Sequence, residues 1–386
     1  MEHFVYFCRS LGQENGVIMY TEILRIIEGG LARDTKKVFS YSKLLADKLE
    51  KDGEQKMSKM ILDTVERRFA SSITLDELSA TPIDQESRLS IVDVMLPETN
   101  DIQLVLHPMV KRRVDDFVKM IGCQSLLLSK GIDIANSMLL YGDPGCGKTT
   151  IAKYISQQVG LPMVIARFDT LVSSLLGSTA KNIRKVFDYA EKRPCILFLD
   201  EFDAIAKARN DKHEMGELKR VINSLLQNID SFPRQSILIA ATNHPELLDK
   251  AIWRRFNSVL EISLPDTQET EKLIQIFTND FPNTYIKDTK KRQRLATLLQ
   301  GKSPSDIETI FNNAKAKAVV SNEPSLKYEN LLVEIYESKK HDNNSDNQLI
   351  DFLNENGVTQ AEIAETLNIS LRKIKSQLKN DTNNGN

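Results

Sequence analysis

Several residue types that mark particular classes of protein are scarce in this sequence. Its 386 residues include 4 cysteines and 1 tryptophan, and aromatic residues make up 6% of the chain. The cysteines, at positions 8, 123, 146 and 195, have no Cys-x-x-Cys spacing, so a zinc site or a disulfide framework is not expected. No apolar run reaches the ~20 residues that span a bilayer, and no secretory signal is recognisable at the N-terminus. These absences predict a cytoplasmic protein with no membrane partner.

An excess of charge of one sign is also absent. The 51 Lys and Arg residues nearly balance the 53 Asp and Glu residues, which gives a formal net charge of −2. The chain as a whole therefore has no general attraction for nucleic acid or for an anionic membrane, and such a contact would need a local basic patch. The content of apolar residues, 41%, and of charged residues, 27%, is that of a soluble globular protein, and the length allows two or three domains.

The most informative pattern is a glycine-rich segment that follows a short apolar run. Residues 142–149 match the phosphate-loop spacing G-x-x-x-x-G-K-[ST], and a helix-like pattern follows them. The glycines let successive backbone N–H groups converge on a polyphosphate, and the start of the helix adds further N–H donors. Lys148 is expected to reach the β- and γ-phosphates, and the Thr149 hydroxyl to ligate Mg²⁺. The predicted nucleotide-binding residues of this segment are Gly142, Asp143, Pro144, Gly145, Cys146, Gly147, Lys148, Thr149 and Thr150.

Buried strands and helical patterns alternate through the middle of the chain. The predicted strands are residues 137–141, 161–167, 195–199, 236–242 and 259–263, and residues 90–96 fit either a strand or an extended lead-in. The alternation predicts βαβ units, and hence an α/β fold with a five-stranded parallel sheet covered by helices on both faces. In such a sheet ligands bind at the carboxyl ends of the strands. The phosphate loop, Asp200, Glu201 and Asn243 all follow strand ends, so we expect them to meet at one site.

Two acidic residues and an asparagine supply the chemistry that a triphosphate hydrolase needs opposite its phosphate loop. Asp200 is expected to hold Mg²⁺, and Glu201 to orient and deprotonate the attacking water. Asn243, at the tip of the neighbouring strand, could hold the same water or the γ-phosphate through its amide. The predicted reaction is therefore the Mg²⁺-dependent hydrolysis of a nucleoside triphosphate.

In combination these segments resemble the ATPase core of the AAA family. The resemblance rests on four motifs in the right order, at residues 142–149, 196–201, 240–243 and 249–256, and covers about residues 100–335. It implies ATP and Mg²⁺ as cofactors. It also implies a homo-oligomer, usually a hexameric ring, that remodels or unfolds a macromolecule, with protein as the favoured substrate.

The resemblance also implies roles for single residues. Asn243 corresponds to the sensor-1 residue, and Arg254 and Arg255 to arginine fingers that reach the ATP of the neighbouring subunit. Residues 301–307 resemble the start of the lid helix in this family, and Gly301 and Ser303 would lie near the nucleotide. The expected catalytic residues are then Glu201, Lys148, Asn243, Arg254 and Arg255, and the expected metal ligands are Thr149 and Asp200.

The segment that corresponds to the central pore loop departs from the family's pattern. Leu175 stands where an aromatic residue is usual, and Ser178 where an acidic residue is usual. A leucine can grip an extended chain by apolar contact but lacks a flat ring. Threading of a peptide through the pore is therefore left open.

Four regions are predicted along the chain: a helical N-terminal domain (1–85), the AAA α/β core (86–266), a helical lid (267–340), and a linker with a helix-turn-helix-like tail (341–386). This layout resembles bacterial AAA ATPases that are paired with a subtilisin-like serine protease. The resemblance implies a partner protease, because the chain itself carries no protease motif such as G-x-S-x-G.

The tail leaves two interpretations open. Residues 347–379 resemble the helix-turn-helix of bacterial regulators, and basic residues on the second helix suit phosphate contacts: Arg372, Lys373, Lys375 and Lys379. Acidic residues of the same unit offset them: Asp351, Glu355, Glu362, Glu365 and Asp381. The tail is therefore predicted either to bind protein or support the fold, or to contact DNA. A DNA-directed ATPase is the alternative function.

Overall fold

The computed structural model describes residues 23–28, 35–51, 53–62, 81–83, 90–97, 102–168, 176–204, 215–339 and 346–383. Among these residues a six-stranded sheet forms the centre of the fold. Its strands are β1 (Asp93–Met95), β2 (Asn136–Tyr141), β3 (Met163–Arg167), β4 (Ile196–Asp200), β5 (Ile237–Thr242) and β6 (Ser258–Glu261).

The strands lie in the order β1-β3-β4-β5-β2-β6, and β2 to β6 run parallel. β1 pairs antiparallel with β3 at one edge. The predicted α/β class with five parallel strands is confirmed, and the sheet is one strand larger than predicted. Because β1 is only 3 residues long, its sequence pattern could not separate a strand from an extended lead-in.

Helices cover both faces of the sheet and form a second, all-helical layer. Within the described residues the numbered helices are α1 (Thr35–Lys51), α2 (Pro108–Gly122), α3 (Gln124–Ser129), α4 (Lys148–Val159), α5 (Leu176–Glu191), α6 (Met215–Ser231), α7 (Lys250–Trp253), α8 (Thr267–Thr278), α9 (Thr289–Leu298), α10 (Pro304–Val320), α11 (Tyr328–Glu337), α12 (Asp346–Glu355), α13 (Gln360–Leu367) and α14 (Leu371–Asn383). Residues 23–28 and 55–62 are also helical. None of the helices in this part of the chain is long and apolar enough to cross a membrane.

Side chains of the strands alternate between two hydrophobic cores. Leu139 of β2 packs into the core that α5 and α6 share, whereas Met138 and Leu140 pack into the core that α2 and α4 share. This alternation is the period of two that a strand imposes. Complete burial of each such side chain stabilises the fold by roughly 1.5–3 kcal/mol. Both faces of the sheet are thus covered, which leaves its carboxyl edge for a ligand.

Helices α8 to α14, called the helical unit below, share one hydrophobic core. Ile274 of α8 and Phe311 of α10 belong to the same buried cluster as Ile350, Ile363 and Ile374 of α12 to α14. Residues on both sides of position 341, the predicted boundary between lid and tail, contribute to this shared core.

Some predictions concern residues outside the described part of the chain. Leu175 of the predicted pore loop is one of them, and at Ser178 only the backbone is described. The same holds for the side chains of Lys379 and Asp381 in the tail, and for most of the predicted N-terminal domain.

Candidate active site

The phosphate loop connects β2 to α4 and is closely surrounded. Gly142 has φ 142°, and a Cβ there would lie 2.0 Å from the carbonyl oxygen of Ile262, just after β6. Gly145 has φ 75°, and a Cβ there would lie 2.5 Å from Ser303 Oγ in the helical unit. Both positions therefore need glycine for backbone conformation and for close approach. The loop ends at Gly147, the N-cap of α4, so the first turn of that helix presents N–H donors to the loop.

The Lys148 side chain is buried within this loop. Its Nζ donates hydrogen bonds to the carbonyl oxygens of Gly142 and Asp143, both at 2.8 Å. Burial lowers the pKa of Lys148, and the charges of Cys146 and Asp200 oppose that shift. An ammonium group held by carbonyl dipoles in a glycine-lined cradle fits a polyphosphate, because charged phosphate oxygens are stronger acceptors than carbonyls.

Asp200 ends β4 and faces the start of α4. The Thr149 hydroxyl lies near this carboxylate and acts to lower its pKa, and the Glu201 backbone N–H donates to Asp200 Oδ1 at 2.9 Å. Burial raises the pKa of Asp200, whereas these two groups and the positive charge of Lys148 oppose that shift. A hydroxyl and a carboxylate close together are oxygen ligands of the kind that Mg²⁺ takes, so Thr149 and Asp200 fit the ion.

Glu201 has a left-handed backbone conformation, which is uncommon for a residue other than glycine. Its φ is 51°. The chain is held on both sides of it, since Asp200 belongs to β4 and the Phe202 N–H donates to the carbonyl oxygen of Ala241 at 3.0 Å. Such a conformation costs on the order of 1–3 kcal/mol. It places an exposed carboxylate on the wall of a cleft at the strand tip.

Asn243 follows β5 and is fixed by Asp203. The Asp203 carboxylate, in a residue only 2% exposed, accepts hydrogen bonds from Thr242 Oγ1 at 2.9 Å and from the Asn243 N–H at 3.2 Å. The residues that follow β4 are thus joined to the tip of β5. Sequence reasoning missed Asp203, although its position three residues after Asp200 was a signal that could have found it.

One wall of a cleft of about 440 Å³, a volume typical of small-molecule sites, is lined by residues 144–150, Asp200, Glu201 and Asn243. Gly142 and Asp143 of the predicted nucleotide-binding set are not among the residues that line it. The opposite wall comes from the segment before α2 and from the helical unit, and it was not predicted from the sequence. Apolar side chains dominate it, which suits a planar base better than phosphates. Its residues are Gln103, Leu104, Val105, Leu106, Leu273, Ile276, Phe277, Pro304, Ser305 and Glu308.

Neither Gly301 nor Ser303 lines this cleft, although Ser303 lies against the phosphate loop. Ser303 is the N-cap of α10, where its Oγ accepts a hydrogen bond from the Asp306 N–H at 3.2 Å, and it packs against Gly145. Ser305 does line the cleft, and its N–H donates to the carbonyl oxygen of Gly145 at 3.2 Å. The helical unit therefore touches the phosphate loop through Ser303 and Ser305.

The two predicted arginine fingers lie away from this cleft and differ from each other. Arg255 forms a bidentate ion pair with Asp230 of α6, with Nε–Oδ1 at 2.7 Å and Nη2–Oδ2 at 2.8 Å. Its Nη1 also donates to the carbonyl oxygen of Ala251 at 2.7 Å, and the hydrogen bond with Asp230 raises the pKa of Arg255. Arg254, at the C-terminal end of α7, is exposed. One arginine is thus held on its own subunit, and the other faces outward.

A glycine-rich loop between a parallel strand and a helix, with an acidic pair at a nearby strand tip, defines a phosphate-loop nucleoside triphosphatase. Residues 138–264 match the family described as "ATPase family associated with various cellular activities (AAA)". The chain is 33% identical over 297 residues to the uncharacterized AAA family ATPase y4kL of Sinorhizobium fredii, an alignment that covers 76% of this chain and 87% of that relative. The chain therefore belongs to the AAA family and is an ATPase, which confirms both predictions.

Proteasome-activating nucleotidases are also similar. The chain is 32% identical over 209 residues to that of Methanoregula boonei, covering 52% of this chain and 47% of the relative. It is 35% identical over 196 residues to that of Pyrococcus abyssi, covering 49% and 48% respectively. The chain thus spans about half the length of these nucleotidases. Pairing with a subtilisin-like protease stays a prediction.

Proposed function

We propose that this ATPase works as a homo-oligomeric ring, with six subunits as the expected number, in which Mg²⁺-dependent ATP hydrolysis drives the remodelling or unfolding of a protein. The proposed ring rests on the set of charged side chains that line the cleft. Among the described residues that line it, Lys148 is the only cation, whereas Asp200, Glu201 and Glu308 are acidic. Phosphoryl transfer spreads negative charge over the γ-phosphate oxygens, and an arginine in addition to Lys148 and Mg²⁺ would stabilise that charge in the transition state. Arg254 is exposed and outside its own cleft, where a neighbouring copy can use it.

The residues of the cleft divide into three tasks. Lys148 and the N–H groups of the loop bind the β- and γ-phosphates. Thr149 and Asp200 hold Mg²⁺, which when bound neutralises charge on the phosphates. Glu201 takes a proton from the attacking water, and Asn243 orients that water through its amide.

Protein is the substrate class that the relatives favour. Two of them are named for the activation of a proteasome, so by analogy this chain would unfold a protein and a separate protease would degrade it. The described cysteines, Cys123, Cys146 and Cys195, are free, which fits a reducing cytoplasm as the site of action.

The catalytic assignment is tested with Glu201→Gln, which removes the base and keeps the shape. Hydrolysis should fall by about 10²–10⁴-fold, while ATP binding and ring assembly persist. Phosphate release, nucleotide titration and mass photometry measure the three properties. Glu308→Gln is the matched control, because it removes a carboxylate from the opposite wall of the same cleft and should leave turnover near wild type. Full hydrolysis by Glu201→Gln would place the base elsewhere, and a monomer in saturating ATP would contradict the ring.

The substrate class is tested by capture on the same variant. A ring that binds ATP without hydrolysing it should retain its substrate, so proteins recovered with Glu201→Gln in ATP are compared with those recovered with Lys148→Ala, which should not bind ATP. Recovery of the same proteins by both variants would show that the capture does not depend on the ATP-bound ring.

A DNA-directed ATPase is the second candidate, because basic side chains of α14 are exposed. Arg372 and Lys375 are exposed there. Two acidic residues that offset them in the sequence are engaged elsewhere: Glu362 in the capping box of α13, and Glu365 with Lys327 at 2.9 Å. Contacts with phosphates would repeat around a ring, and avidity would strengthen them.

This alternative predicts binding of duplex DNA with a steep dependence on salt. Fluorescence anisotropy of a labelled duplex between low and physiological salt measures it, and the double variant Arg372→Gln, Lys375→Gln should weaken it. No binding at low salt would exclude the DNA-directed function.

A further inference from the structure

Two aromatic contacts bracket the arginine pair. On one side, the rings of Trp253 and Tyr141 meet edge to face, with centroids 5.2 Å apart and planes at 78°. On the other side, the rings of Phe256 and Phe202 meet with centroids 6.2 Å apart and planes at 90°. Edge-to-face pairs at such distances are attractive beyond the area that they bury.

The partners of both rings belong to this chain's own nucleotide site. Tyr141 is the last residue of β2 and directly precedes Gly142 of the phosphate loop. Phe202 directly follows Glu201. The short turn that presents Arg254 to the outside therefore rests on the segment before the phosphate loop and on the segment after the acidic pair.

The two sides of this turn are not held equally. Phe256 is only 5% exposed. Arg255 is bound to Asp230, and its carbonyl oxygen accepts a hydrogen bond from Ser137 Oγ at 3.3 Å. Trp253 is half-buried, and its ring stands on the N-terminal side of the exposed arginine. Ile252, directly before Trp253, is also 5% exposed and shares a core cluster with Phe256, so both sides of the turn reach the core. The C-terminal side has in addition the hydrogen bonds of Arg255 to Asp230 and Ser137, whereas on the N-terminal side the Trp253 ring adds a contact with the end of β2.

We propose that Trp253 is a positioning residue, which ties the exposed Arg254 to this chain's own phosphate loop through Tyr141. The ring contact sets the end of α7 against the end of β2, and Arg254 is the next residue. A displacement of the loop by bound nucleotide is then passed to the arginine that is offered to the neighbouring subunit. This inference rests on the proposed ring function and adds to it the residue that links one site to the next.

The first test compares Trp253→Ala with Trp253→Phe. The alanine variant should lower kcat by about tenfold to a hundredfold with little change in the KM for ATP, because a misplaced cation affects the transition state more than binding. Phenylalanine keeps an edge-to-face contact and should stay within about threefold of wild type. An unchanged kcat in Trp253→Ala would overturn the proposal, and so would an equal loss in both variants.

Mixed rings separate an effect on the neighbour from damage to the variant's own site. Trp253→Ala has an intact phosphate loop and a misplaced arginine, whereas Lys148→Ala has a damaged loop and a well-placed arginine. Their mixture should exceed the sum of the two separate activities, and a mixture that does not recover would overturn the proposal. Arg254→Ala is mixed in the same way as a control. If neither Arg254→Ala nor Arg255→Ala loses activity, the proposed ring function fails; if only Arg255→Ala loses activity, the ring function stands and the proposed role of Trp253 fails.

Fluorescence tests the linkage without any measurement of activity. Trp253 is the single tryptophan of the chain, so emission excited selectively from tryptophan reports on the surroundings of this ring, which include Tyr141. ATP added to the Glu201→Gln variant should change the emission, and Tyr141→Leu in the same background should suppress the change while ATP still binds. An emission that does not respond to bound ATP would overturn the linkage.

Discussion

The tip of β5 is held by a buried carboxylate rather than by the strand alone. Asp203 accepts hydrogen bonds from the Thr242 hydroxyl and from the Asn243 N–H. Glu201 stands two residues before Asp203. The Asp203 carboxylate therefore sets the distance between Glu201, the proposed base, and Asn243, whose amide is proposed to orient the water. Asp203 therefore affects the chemistry although it is not among the residues that line the cleft.

Asp203→Asn is expected to loosen this spacing. Both hydrogen bonds go to Oδ1, so the amide can keep them but removes the negative charge that strengthens them, and we expect a loss of about 1–3 kcal/mol of stability and slower hydrolysis. Urea denaturation and phosphate release measure the two effects. Asp133→Asn is the control, since it removes an exposed ion pair with Arg234 that should contribute under about 1 kcal/mol. Normal turnover in Asp203→Asn would show that Asn243 does not depend on this carboxylate.

At the scale of elements, the contact between the phosphate loop and the start of α10 makes a sharp prediction about Gly145. Gly145→Ala adds a Cβ at φ 75° and 2.5 Å from Ser303 Oγ, so ATP binding should be strongly weakened. Gly160→Ala is a matched control, because it has φ 73° with nothing within 4 Å. Both substitutions carry a backbone cost of about 1–2 kcal/mol, but only the first should affect nucleotide titration. Equal affinity for ATP in the two variants would show that α10 does not constrain the loop.

The elements that could be predicted from the sequence are those whose signals are local. The phosphate loop has its parts within eight positions, and β2 to β5 each contain an uninterrupted apolar run, so spacing and periodicity identify them. The apolar wall of the cleft could not be predicted, because Leu273 and Pro304 come from helices far along the chain and reach the loop only through tertiary packing. The ion pair between Arg255 and Asp230, which distinguishes Arg255 from the exposed Arg254, could not be predicted for the same reason, because Asp230 lies on another helix.

At the scale of the whole molecule, the two arginines should behave differently in an assembled ring. Arg254→Ala should lower kcat by on the order of 10³-fold or more with no change in thermal stability, because it removes a cation from the neighbour's site alone. Arg255→Ala should also lower thermal stability, by up to about 1 kcal/mol, because it breaks the pair with Asp230. Thermal melts and steady-state hydrolysis measure both. Arg254→Ala could instead turn over normally while Arg255→Ala loses its ATPase activity and regains it when mixed with Lys148→Ala subunits. That result would make Arg255 the arginine finger.

The shared core of the helical unit has a mechanical consequence. Leu273 of α8 and Ser305 of α10 line the cleft, and the same buried cluster that holds α8 and α10 also holds α14 through Ile374. Packed interiors resist deformation, so these helices would move as one lever when nucleotide enters or leaves. The exposed side of α14 would move together with α8 and α10. A protein or DNA duplex bound to α14 would therefore be displaced once in each cycle of hydrolysis.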